Sequence, residues 1–129
     1  MWIGTAGWSV PSRYAADVPA GGSQLERYAR ALNAVEINSS FYRPHQRKTY
    51  ERWAGATPAG FRFSVKMPRT ITHNARLANC SAMLDRFMAE VTGLGDCRRT
   101  GRLERACLLQ MARLAANLLR RCGFVSTRV

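Results

Sequence analysis

Apolar and polar positions alternate along the first 96 residues with two periods in turn. Trp2 to Trp8 is short and apolar, punctuated by Gly4 and Gly7, which predicts a buried strand running into a loop with Pro11, Pro19, Gly21 and Gly22. Ser23-Gln24-Leu25-Glu26 fits a capping box, where the Ser hydroxyl accepts from the third helical amide and the Glu carboxylate reaches back. Leu25, Tyr28, Ala29 and Leu32 then recur at helical spacing and predict an amphipathic helix. From Ala34 to Tyr42 the period is two: Val35, Ile37 and Phe41 face one way, Glu36, Asn38, Ser40 and Tyr42 the other. This predicts a second strand, stopped by Pro44. Lys48 to Trp53 reads as a helix with Tyr50, Trp53 and Ala54 inward, closed by Thr57-Pro58-Ala59-Gly60. Phe61 to Met67 alternates again before Pro68, and a loop through Arg69 and His73 follows. Leu84, Phe87, Met88 and Val91 place a third helix that stops near Gly93 and Gly95.

Strands separated by helices of this length imply crossover connections and a parallel sheet. Functional groups of such sheets gather at the carboxyl ends of the strands.

Three of these segments carry a resemblance. Ile3-Gly4-Thr5-Ala6-Gly7-Trp8-Ser9 is similar to the opening strand of the YecE-like family (domain of unknown function 72). Val35-Glu36-Ile37-Asn38-Ser39-Ser40-Phe41-Tyr42 resembles that family's most recognisable block, and Phe61 through His73 its third strand and following loop. The resemblance covers about residues 1–96 and implies a TIM barrel rather than a particular reaction. The expected fold class is therefore α/β: a partial TIM (β/α)8-like barrel of about three βα units with parallel strands, followed by an atypical C-terminal helix. A whole barrel takes about 250 residues.

Composition refines this picture. With 129 residues, 47% hydrophobic and 22% charged, the chain has too much apolar content for a disordered polymer. It has no apolar run long enough for a spanning helix and its N-terminus lacks a secretory pattern, so the expectation is a soluble cytoplasmic protein. The net charge of +12 is unevenly placed. Residues 1–96 hold 12 basic and 7 acidic side chains, residues 97–129 hold 8 and 1. The expected division is 1–96 as the N-terminal part of a YecE-like barrel domain and 97–129 as a basic helical tail. The abrupt change after Asp96, where the family would continue with a fourth strand, suggests a frameshifted or broken gene and a truncated chain inactive as encoded. The rival reading is a cationic module. Leu103, Cys107, Met111, Leu114 and Leu118 form an apolar stripe amid Arg98, Arg99, Arg102, Arg105, Arg113, Arg120 and Arg121, which suits nucleic acid or an anionic membrane.

Candidate chemistry follows from the barrel implied by the resemblance. Glu36, Asn38 and Ser40 would share one face of the second strand, Ser64 and Lys66 one face of the third. Glu36 and Lys66 are candidate proton-transfer groups, with a structural ion pair between them as the plainer alternative. His73 is a third catalytic candidate, and His45 could join it. Arg69 suits phosphate or carboxylate, and Trp8 and Tyr42, at expected strand ends, suit stacking on a sugar or base. Asn38, Ser40, Tyr42, Arg69 and Trp8 are thus the ligand-binding candidates for a small polar or anionic ligand. No Ser/His/Asp or Cys/His constellation stands out. Cys80, Cys97, Cys107 and Cys122 lie 17, 10 and 15 positions apart, a spacing that matches neither zinc nor a redox dithiol, so neither metal nor cofactor is expected. An open sheet edge would favour self-association.

Overall fold

The computed structural model describes residues 1–95. Three parallel strands, β1 (Gly4–Ala6), β2 (Ala34–Ile37) and β3 (Arg62–Val65), lie side by side in chain order. Between β1 and β2 runs α1 (Gln24–Ala31). Between β2 and β3 come a single helical turn, α2 (Ser39–Tyr42), and α3 (Arg47–Gly55). A wide helical turn over Thr70–Asn74 and then α4 (Ser81–Val91) follow β3. The basic helix expected over 97–129 lies outside the described residues.

The helices form where the pattern predicts them. At α1 both halves of the capping box are made: the Glu26 amide donates to Ser23 Oγ at 3.3 Å, and the Ser23 amide donates to Glu26 Oε2 at 2.6 Å. Leu25, Tyr28 and Ala29 are buried beneath it. On α3, Tyr50 is fully buried, and on α4 Phe87 is 3% exposed. These meet Ile37, Val65, Met67, Ile71 and Cys80 in one apolar cluster on a single side of the sheet. Met88, expected on the inner stripe of α4, is 40% exposed instead. Phe87 takes the centre of that stripe and Leu84 and Val91 flank it, so Met88 falls on its margin.

All three expected strands are shorter than their patterns. The period-two run to Tyr42 breaks at Asn38, whose backbone turns helical (φ −85, ψ −26), so Phe41 and Tyr42 sit on α2. Phe63, Arg62 and their neighbours pair only over Arg62–Val65. The opening strand keeps three residues, all exposed rather than buried, because it borders the sheet and pairs on one side only among the described residues. At Gly4 a Cβ would collide with the Ala34 carbonyl, so only glycine lets β1 come this close to β2. Gly7, at φ 81, turns the chain off the sheet while its amide donates to the Glu36 carbonyl at 2.8 Å.

Side-chain bonds hold β1 in place of a core. The Thr5 amide donates to the Tyr28 hydroxyl at 2.8 Å, and that hydroxyl donates to the Ala34 carbonyl at 2.9 Å. Asn33 Oδ1 accepts from the Ile3 amide and its Nδ2 donates to the Met1 carbonyl. The hydroxyl of Tyr50, by contrast, is buried with no hydrogen-bond partner. The same Tyr-to-Phe change should therefore act with opposite sign at the two positions. Tyr28→Phe should lower unfolding free energy by about 1–3 kcal/mol, because it strips partners from two backbone groups. Tyr50→Phe should leave stability unchanged or raise it by about 1 kcal/mol, because it removes a buried unsatisfied group. Urea denaturation of the two variants checks both signs.

Candidate functional site

The register divides the sheet into two faces. Ala6, Glu36 and Ser64 stand in line across the three strands, and Gly4, Ala34 and Arg62 stand in line one step earlier on the same face. Val35 and Phe63, then Ile37 and Val65, occupy the opposite face, where the helices pack. The open face thus combines small residues with Glu36, Ser64 and Arg62, all half-buried. The register thus sets Glu36 and Ser64 on one face.

Lys66 lies one step past β3, its amide donating to the Ile37 carbonyl at 3.0 Å. Its ammonium sits 4.9 Å from the centre of the Phe41 ring. The His73 ring meets the same Phe41 edge-to-face at 5.2 Å, and Tyr42 does so at 4.9 Å. His73 Nδ1 is 2.8 Å from Thr72 Oγ1. Phe41 therefore gathers Lys66, His73 and Tyr42 at the carboxyl ends of β2 and β3. A cation over an aromatic face is attracted by the ring quadrupole.

No ion pair joins Glu36 to Lys66: the pairs among the described residues are Arg47–Glu51 and Arg86–Glu90. The half-buried Glu36 carboxylate takes part in neither pair, and the buried Asn38 Oδ1 and Arg62 Nε have no hydrogen-bond partner. The Arg62 guanidinium instead lies 5.3 Å from the centre of the Trp2 ring. Arg69 is exposed at the head of the Thr70–Asn74 turn.

Two ligand-binding candidates sit differently from expectation. Ser40 is fully buried, with its Oγ 2.9 Å from the Ile37 carbonyl and 2.6 Å from the Lys66 carbonyl. It bridges the ends of β2 and β3 rather than facing a ligand, because the α2 turn rotates it inward. Trp8 is half-buried against Trp53, edge-to-face at 5.1 Å, at the margin of the core. Trp53 in turn meets Tyr50 and His45 at 5.5 and 5.0 Å.

The sequence reading missed a pair. Ser39 Oγ and His45 Nε2 are 2.8 Å apart. No regular period links positions six apart; the α2 turn reverses the chain and brings them together. Half-buried among the Tyr50 and Trp53 rings, His45 has its pKa lowered, chiefly by desolvation and further by Arg43, with Glu90 opposing. Burial, with the Glu90 charge adding to it, pushes the Tyr50 phenol up to about 12.

The fold and site define an α/β protein of parallel strand–helix units with polar groups at the strands' carboxyl ends. The family described as "Protein of unknown function DUF72" matches residues 2–118, and the chain belongs to that family. Over 94 residues the chain is 35% identical to the UPF0759 protein YecE of Escherichia coli K12, an alignment covering 73% of this chain and 33% of that protein. It is 27% identical over 96 residues to the UPF0759 protein YunF of Bacillus subtilis 168, covering 71% and 34%. The chain thus spans about a third of the length of the curated relatives it matches. A crystal structure of a DUF72 family protein from Enterococcus faecalis V583 superposes with a TM-score of 0.62 at 18% identity, covering 89% of this chain and 46% of that one. A second crystal structure of that protein gives 0.55.

His45 generates a pH prediction. Its folded pKa lies below the ordinary imidazole value of about 6.5, so the unfolded chain binds the proton more readily. Its contribution to stability is full above about pH 6.5 and is lost as pH falls through that value. The thermal midpoint should fall between about pH 7.5 and about pH 5.5, and His45→Gln should flatten that part of the profile.

Proposed function

We propose that the open sheet face is the ligand mouth of a TIM-barrel-like domain, and that its carboxyl-end rim binds a small hydroxylated anion such as a sugar phosphate or sugar acid. The described residues supply three strand–helix units of that barrel, and further strands complete the mouth. Strands in sequential parallel order with helices on one side support the barrel reading. So does the likeness to a solved DUF72 family protein twice as long as the aligned part.

The observation that carries the ligand class is the set of unsatisfied groups around the ends of β2 and β3. Lys66 has its charge over Phe41 and no carboxylate partner among the described residues, and Arg69 stands exposed beyond it. Both suit an anionic group. Glu36 and the buried Asn38 Oδ1 are acceptors without donors, which hydroxyls would supply. Tyr42, 79% exposed, offers a flat face at the same rim. In this reading Glu36, Lys66 and His73 hold or move protons at the ligand, while Asn38, Tyr42 and Arg69 orient it. The described residues form one part of that mouth, so they hold the anion weakly by themselves.

Titration of the isotopically labelled chain with ribose 5-phosphate, followed by two-dimensional NMR, tests the reading. Millimolar ligand, about −4 kcal/mol of binding, suffices to move amide signals. Signals at 36–38 and 64–69 should shift, and Lys66→Ala should weaken the effect at least about tenfold, a loss of about 1.4 kcal/mol. Shifts elsewhere, or an unaltered Lys66→Ala titration, would overturn it.

A further inference from the structure

We propose that Ser39 and His45 form a nucleophile–base pair that reacts with carboxylic esters. This inference does not depend on the anion site at Lys66 and Arg69. The two side chains meet within one reversal of the chain, so completing strands are not needed to assemble them.

The geometry meets the first requirement of an activated serine. Ser39 Oγ is 2.8 Å from His45 Nε2, within reach for direct proton transfer, and Ser39 is exposed to an incoming ligand. His45 is held from behind: its ring meets Tyr50 at 5.9 Å and Trp53 at 5.0 Å, both edge-to-face, on the rigid helix α3. That packing fixes the imidazole plane toward Ser39. Desolvation and the Arg43 charge keep the imidazole neutral at neutral pH, the form in which Nε2 accepts the hydroxyl proton. Arg43, four residues on, is exposed and lies outside the ion pairs among the described residues. Ser40, the adjacent serine, is fully enclosed and occupied with backbone carbonyls, so the reaction is confined to Ser39.

The step balances without a cofactor. Ser39 Oγ forms a bond to the ester carbonyl carbon while its proton passes to His45 Nε2. The carbon–oxygen bond to the alcohol then breaks, and the same proton leaves with the alcohol. Water repeats the sequence on the acyl-serine, releasing the acid and restoring the hydroxyl.

Diisopropyl fluorophosphate, an electrophile of the same demand, tests the pair. The full chain is incubated with the reagent and the modified peptide mapped by mass spectrometry, beside the same chain unfolded in urea. Ser39 should be modified at least about 100-fold faster in the folded chain, the scale on which a positioned base acts. His45→Gln should remove that advantage, and Ser9→Ala, at an exposed serine away from the pair, should leave it intact. Should His45→Gln fail to fold, the comparison of folded with unfolded wild-type chain still decides. Equal rates folded and unfolded, modification at other serines instead, or an undiminished rate in folded His45→Gln would each overturn the proposal.

Discussion

The one-sided burial of a parallel sheet governs everything else in this molecule. β2 shows it most clearly: Val35 and Ile37 are 2% and 0% exposed against the helices, while Glu36 between them keeps contact with water. Parallel sheets ordinarily bury both faces. Here, among the described residues, helices cover one face and leave the other to polar and small side chains. A half-buried carboxylate without a partner is tolerable only because water reaches it. Enclosing that face would force Glu36, Asn38 and Arg62 to find donors and acceptors, from neighbouring strands or from a ligand.

Much of the fold was legible because it rests on periodicity. The α1 capping box and the inward Tyr50 and Phe87 follow from spacing alone, whereas the register that sets Glu36 beside Ser64 comes from the strand pairing. The failures share a cause. Asn38 leaves the extended region, and with it the alternation that assigned Ser40 and Tyr42 to the Glu36 face loses meaning. Single-residue conformational switches are invisible to a pattern of apolar positions. The Ser39–His45 contact was illegible for the same reason, since it depends on where a four-residue helical turn sends the chain. An aromatic at a strand end fits a stacking platform and a core margin equally well, and the contact of Trp8 with Trp53 at the margin of the core was not legible in the sequence.

The charge excess also looks different once residues are placed. Arg27 and Arg30 donate to the carbonyls of Ala15, Pro19, Ala20 and Gly21, fastening a loop whose residues 11–22 all stay exposed except the half-buried Val18. Arg47 and Arg86 make exposed pairs one turn along their helices, interactions of small energetic weight. Arg62 is spent on an indole. Of the cations outside these contacts, Lys66, Arg43 and Arg69 follow the carboxyl ends of β2 and β3, while Arg13, Lys48, Arg52 and Arg76 lie elsewhere along the chain.

The clasp of Tyr28 and Asn33 on the first strand sets the order in which the molecule comes apart. A strand secured by one phenol and one amide lets go in a small excursion, well short of global unfolding. Once it peels away, the edge of β2 that faced it lies bare, while the other edge stays paired with β3. The molecule's most exposed moment is thus an everyday fluctuation of its first few residues rather than a catastrophe of its core.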